Sequence, residues 1–177
     1  SSHRSYTSLV RSLLIESGFD LVGFAAALPL DDEMKSYHEW LTNGFHADMA
    51  YMERNTDKRH DVRHILPDAR SVITVGVNYY TPHVHVHSDT VGKISRYAWG
   101  DDYHDVLSNR LDRVLHVLRE QFSDASFVRY VDTGPVAEKT WAVRSGLGWQ
   151  GKNSNILSRS IGSYFFIGVI ITSMELA

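Results

Sequence analysis

The sequence predicts a layered α/β or α+β sandwich, with a central sheet flanked by helices. Three observations point there. Helix and strand signals interleave along the whole chain instead of segregating into blocks. Residues 71–79 (SVITVGVNY) are apolar and β-branched, as a central strand requires. The longest helical pattern, ending near Gln121, carries Leu107, Leu111, Val114 and Leu118 on one stripe, with Arg110, Asp112, Arg113 and Glu120 on the wet side. Strand order does not follow from these patterns.

Taken in order, Leu9, Val10, Leu13 and Leu14 recur at helical spacing, and Gly18 stands where that helix stops. Residues 21–26 read as a short buried strand. Asp31 is placed to cap a helix carrying Tyr37, Trp40 and Leu41, which ends near Gly44. Asp101 or Asp102 caps the long helix, and residues 127–131 form the next strand. Pro135 suits the first turn of a helix over 136–145, which Gly146 terminates. Residues 154–157 and 164–172 read as two strands joined by a tight turn at 160–162. There is no internal repeat, low-complexity tract or linker, so one domain over residues 1–177 is expected.

Composition narrows the function classes. Apolar residues make up 43% and charged residues 22% of the 177, the mix of an ordinary soluble protein. A formal net charge of −3 advertises no polyanion-binding surface. No apolar run is long enough to span a bilayer, and the N-terminus is polar through Ser5, unlike a signal peptide. No membrane association, a cytoplasmic location and a monomer are the expectations. The absence of cysteine excludes disulfides, thiolate nucleophiles and cysteine-ligated iron–sulfur clusters within these residues.

Four segments have chemical potential. The richest is 131–163, opening VDTGPVAEKTWAVRSGLGWQGKNSN. Asp132 follows a strand and precedes a helix, where layered folds of this kind place ligands; on local sequence alone the preferred reading is an Asx-turn or helix cap. Gly146, Gly148 and Gly151 let backbone approach something flat, and Lys152, Asn153, Ser154 and Asn155 offer donors and acceptors in a row. GLGWQGK has neither the phosphate-binding loop spacing nor the dinucleotide fingerprint. His83, His85 and His87 alternate onto one face of an extended segment, a pattern suited to zinc or copper, but with no carboxylate or second ligand cluster nearby they read as a variable exposed loop after Pro82 and are not assigned as a site. DKRHDVRHI (57–65) is a solvated charged face, or a place where an arginine holds a carboxylate, amide or phosphate. ISRYAWGDDYHDVL (94–107) surrounds Arg96 with Tyr97, Trp99 and Tyr103, planes that stack on a large ring or form the hydrophobic lead-in of the long helix.

Read together, RYAWGDDYHDVLSNRL, then VDTGPVAEKTWAVRSGLGWQGKNSN, then GSYFF resemble the N-terminal domain of the epoxyqueuosine reductase family. The earlier MAYMERNTDKRHDVRHILPDARSVITVGVNYY resembles that family's opening segment, so the likeness spans nearly the whole chain. The resemblance implies a nitroreductase-like fold holding cobalamin, and reduction of epoxyqueuosine at the wobble position of the tRNA anticodon loop. It implies electrons arriving through two 4Fe–4S clusters in a ferredoxin-like module, from an external donor, and a helical-repeat tail that helps hold the tRNA. This chain, without cysteine, cannot bind those clusters. It ends at Ala177, about where the cluster cysteines are expected, so a truncated form is the preferred expectation over a naturally short one.

Site roles carried by the resemblance follow. The family's general acid, in a DTG/DSA-type turn, maps onto Asp132, whose carboxyl is expected to be desolvated beneath corrin and substrate. Corrin contacts map onto Arg59, Ser95, Arg96, Tyr97, Asp132, Lys152, Asn153, Asn155, Ile156 and Ser163. No histidine lies in a D-x-H-x-x-G pattern, so no protein ligand to cobalt is expected and no metal site is assigned. Two other readings compete: a flavin-dependent nitroreductase-like oxidoreductase, and a non-enzymatic corrinoid carrier or tRNA-docking module. With a net charge of −3, tight tRNA binding would need the family's further regions.

Overall fold

The computed structural model describes residues 2–80, 103–132 and 134–176. The chain runs α1 (Ser2–Glu16), β1 (Leu21–Ala26), α2 (Asp31–Thr42), α3 (Thr56–His60), β2 (Ser71–Asn78), α4 (Tyr103–Gln121), β3 (Phe127–Tyr130), α5 (Glu138–Arg144), β4 (Trp149–Gln150), β5 (Ile156–Leu157) and β6 (Phe165–Thr172), with 3-10 turns at Ala50–Glu53 and Val62–His64. Four strands form one sheet in the order β1-β2-β6-β3, each antiparallel to its neighbours. Helices on both faces of an antiparallel sheet make this the α+β form of the expected sandwich.

Strand alternation decides which layer each residue joins. Ile73 opposes Ile170 in the β2–β6 ladder, and both point toward α1 and α4, where Val10, Leu14, Leu111 and Leu115 meet them. Val72 opposes Ile171 and faces the other layer, with Trp141 of α5, Leu30, Met34 of α2 and Val62. Burying each such side chain contributes about 1.5–3 kcal/mol. The stripe expected on α4 is the buried one, joined by Leu115.

Three local expectations give way to tertiary structure. Residues 154–157 and 164–172 do not pair with each other. The tight turn exists, closed by reciprocal backbone bonds between Ser158 and Gly162, yet β5 pairs with β4 while β6 enters the main sheet between β2 and β3. Eight paired positions with β2, buried on both faces, outweigh a local hairpin. Pro135 lies ahead of α5, not in its first turn: α5 begins at Glu138 after Ala137, without a side-chain cap. Val136 is instead buried in the core beneath the approach to that helix. Asp31 is the first residue of α2, and the cap position belongs to the buried Leu30. Asp31 supports the helix as a first-turn acid and pairs with Nε2 of His60 at 2.7 Å. The caps expected at Asp101 or Asp102 lie outside the described residues.

Candidate functional site

Asp132 leaves β3 in a left-handed conformation, φ +57°, one that aspartate tolerates better than most residues. The chain must turn sharply there. Two residues on, Gly134 lies so close to the Tyr130 ring that a Cβ would come within 2.2 Å of it. The side chain of Asp132 stays 58% exposed. Its Oδ2 accepts the hydroxyl of Tyr103 and lies 3.1 Å from Nε2 of His104, both from the first turn of α4.

Those partners are themselves held. The Tyr103 ring stacks on Phe166 of β6, which stacks on Tyr79 just beyond β2, with centroids 3.9 and 4.3 Å apart. Arg129 of β3 clamps α4 through a two-pronged pair with Asp112, 2.8 and 2.6 Å, and a bond to Ser108. The strand that delivers Asp132 and the helix that delivers Tyr103 are therefore tied together. That clamp holds the Asp112 carboxyl below its ordinary range.

Behind the turn sits Glu138, the first residue of α5. The charges of Asp132 and of Arg59 of α3 both act on its carboxyl. Oε1 is buried with no hydrogen-bond partner among the described residues. Burial first, and then the negative charge of Asp132, push the Glu138 carboxyl from 4.5 up to about 7. The carboxyl that the protein's own packing removes from water is thus Glu138.

The remaining expected site residues divide. Arg59 is half-buried, its guanidinium donating to the carbonyls of Met52 and Arg54. Lys152, Asn153 and Asn155 stand exposed on a loop between β4 and β5. The Asn153 side-chain oxygen accepts from the Asn155 N–H, and Ser154 is left-handed. Lys139 ties this loop to α5, its Nζ 2.9 Å from the Ser154 carbonyl. Ile156 is a core residue, packed with Ala142, Leu147 and Phe165; Ser163 is half-buried just ahead of β6. Ser95, Arg96, Tyr97 and the histidines at 83, 85 and 87 lie outside the described residues.

His104, Glu138 and Lys139 join the site without having stood out in the sequence. Glu138 looks there like any acid in a first helical turn, and only its spacing of six from Asp132 hints at more. Among the described residues no three His, Asp or Glu side chains converge as metal ligands, and no helix is long and apolar enough to cross a membrane.

Comparison with known proteins connects this geometry to a family. Residues 59–133 match the family model described as Epoxyqueuosine reductase QueG, DUF1730. The epoxyqueuosine reductase of Synechocystis sp. is 49% identical over 146 residues, 82% of this chain and 50% of that protein. A crystal structure of a selenomethionine-labelled epoxyqueuosine reductase superimposes with a TM-score of 0.90 at 26% identity, over 99% of this chain and 47% of that one. An epoxyqueuosine reductase solved with an epoxyqueuosine-modified tRNA stem loop shares the fold at a TM-score of 0.85 and 24% identity, again over 99% of this chain and 47% of that one. This chain spans about half the length of the relatives it matches. Over that half, in sequence and in fold, it belongs to the epoxyqueuosine reductase family.

Proposed function

We propose that this chain is the part of an epoxyqueuosine reductase that binds the corrinoid and the modified base, with Asp132 as proton donor to the epoxide oxygen. The observation that carries the reading is the built position of Asp132. It stands exposed at a strand end, in a left-handed turn, with Oδ2 aimed by Tyr103 and His104. A carboxyl held at one orientation and open on one side is what general acid catalysis on a bound substrate needs.

Removing an epoxide oxygen to leave a double bond consumes two electrons and two protons and releases water. When bound, cobalamin would supply the electrons for that step. The donor set suits it: the corrin periphery carries neutral amides, and Lys152, Asn153 and Asn155 stand exposed with matching donors and acceptors. Arg59 and Ser163, with Ser95, Arg96, Tyr97 and the backbone at Ile156, complete the proposed contacts. The protein's own work is to orient the base, exclude water and deliver a proton from Asp132 to the oxygen. The partner is tRNA bearing epoxyqueuosine, and iron–sulfur clusters fed by an external donor would be held outside these 177 residues. A cytoplasmic, monomeric protein fits this reading.

The test is Asp132→Asn in the intact protein, because asparagine keeps the left-handed turn and loses the acid. Base-off cob(II)alamin spectra unchanged by the substitution, with turnover of epoxyqueuosine tRNA reduced at least a hundredfold, are expected. Undiminished turnover would remove Asp132 from the mechanism. Failure of the unsubstituted protein to bind cob(II)alamin, with tight binding of flavin mononucleotide instead, would replace the corrinoid reading.

A further inference from the structure

We propose that the cleft at the β1 edge of the sheet, lined by Trp149 and Arg159, binds a nucleotide of the tRNA loop next to the modified base. The indole stacks on its base and the guanidinium pairs with its phosphate. The inference rests on the reading of tRNA as the partner, and it concerns a second contact, away from the proton donor.

The cleft measures about 410 Å³, within the range of small-ligand pockets. Leu21 and Val22 of β1, the stretch ending in Trp149 and the turn bearing Arg159 line it. Trp149 is 48% exposed and makes no ring contact among the described residues. A half-exposed indole is a stacking platform for a base of any identity.

Arg159 is exposed, and no acid lines the cleft. Arg63, Arg70, Arg129 and Arg144 each pair with a carboxylate; among the described residues Arg159 has no such partner. A guanidinium with its fork unoccupied matches a phosphate. Beside it, Ser158 and Ser160 hold each other Oγ to Oγ at 3.0 Å. That bond uses one hydroxyl proton and leaves the other for a phosphate or ribose oxygen.

Both side chains stand on fixed backbone. Trp149 lies opposite Leu157 in the β4–β5 ladder, where Gly148 packs against the Leu157 carbonyl. Reciprocal backbone bonds between Ser158 and Gly162, 2.9 and 3.0 Å, close the turn that bears Arg159. Little backbone ordering is then left to oppose binding.

The sheet relates this cleft to Asp132. Leu21 lies across from Gly76, and Gly76 across from Ile167. Tyr130, two residues before Asp132, lies across from Val169, two residues beyond Ile167. The cleft and Asp132 therefore share one end of the sheet, at its opposite edges β1 and β3. The strand spacings between those edges add to roughly 14 Å. Nucleotides of one splayed loop reach that far, and each presents a base face together with a phosphate.

The test measures binding of a fluorescently labelled anticodon stem loop carrying epoxyqueuosine to the intact protein, by anisotropy at a series of salt concentrations. Arg159→Ala should weaken binding about tenfold and lower the salt slope by about one, the signature of a lost phosphate contact. Arg159→Lys should restore the slope and part of the affinity. Trp149→Ala should also weaken binding about tenfold, but with the slope unchanged, because stacking releases no counterions. Trp149→Phe, which leaves the hairpin a ring, should fall between. Affinity and slope unchanged in both alanine variants would overturn the inference and leave the tRNA reading standing; no binding by the unsubstituted protein would overturn both. The same variants are titrated with cob(II)alamin and with cob(II)inamide, which lacks the nucleotide tail, and equal binding throughout is expected. A loss confined to cob(II)alamin would assign the cleft to the cofactor's own nucleotide and overturn the inference.

Discussion

Tyr103 lies flat on Phe166, their planes within 3° and their centroids 3.9 Å apart, while its hydroxyl donates to Oδ2 of Asp132. A helix that starts at Tyr103 and a strand that starts one residue before Phe166 thus meet at the candidate acid. The stack supplies the rigidity and the hydroxyl supplies the direction.

Tyr103→Phe separates those two contributions. The ring keeps its stack, so the melting temperature should move by no more than a few degrees. Turnover in the intact protein should fall about tenfold, the effect of about 1.4 kcal/mol lost from an orienting hydrogen bond. Steady-state rates alongside a thermal melt check both halves.

Glu138 gives stability an unusual pH dependence. Its folded value, about 7, lies above the ordinary 4.5, so between them the folded protein binds more protons than the unfolded. Its contribution is fully present below 4.5, declines as pH rises, and is lost above about 7. Glu138→Gln should therefore be more stable than the parent at pH about 8, on the order of 2 kcal/mol, with the difference closing as pH falls. Urea melts across that range measure it.

The Arg129–Asp112 clamp has the opposite sign. The Asp112 carboxyl is held low, chiefly by its hydrogen bonds to Arg129, so its contribution is present above the ordinary range and lost as pH falls through the depressed value. Asp112 is more than half exposed, which limits the pair to about 0.2–1 kcal/mol. Asp112→Asn should flatten the acid limb of the stability profile by that amount. It should lower turnover more than stability, because β3 and α4 then hold Asp132 and Tyr103 less firmly.

Gly148 tests the loop before β5. A Cβ there would meet the Leu157 carbonyl oxygen at 2.1 Å, a backbone atom unable to swing aside. Gly148→Ala should force β4 from β5, displace the 152–155 loop and weaken cob(II)alamin binding about tenfold or more, since contacts worth about 1.4 kcal/mol are enough for that factor. Spectroscopic titration with cob(II)alamin reads the effect.

Leu111→Ala probes the shared core. Leu111 is fully buried between α4 and the sheet, and its removal should cost about 2–5 kcal/mol. Chemical denaturation gives the number directly.

The amino-acid sequence by itself determines much of this protein. β1 runs over the residues expected, β2 ends one residue early, and α4 ends at Gln121 with the expected apolar stripe. These elements announce themselves because their signal is local: period, branching and a terminating glycine. The run of phrases from Arg96 to Phe166 carries the family, since a long ordered series of motifs is hard to meet by chance. Asp132 is legible as a strand-end acid, and its proposed role comes from the family likeness.

The tertiary structure decided where β6 belongs, because an eight-residue ladder between two partners is a choice among distant strands that no local pattern encodes. It moved the start of α5 past Pro135, since the turn at Asp132 and Gly134 must be completed first. It also decided which acid is withdrawn from water. Sequence makes Asp132 and Glu138 two carboxyls six residues apart; packing leaves the first exposed and buries the second. Burial is a property of the assembled layers, and so the distinction between these two acids was beyond the reach of sequence alone.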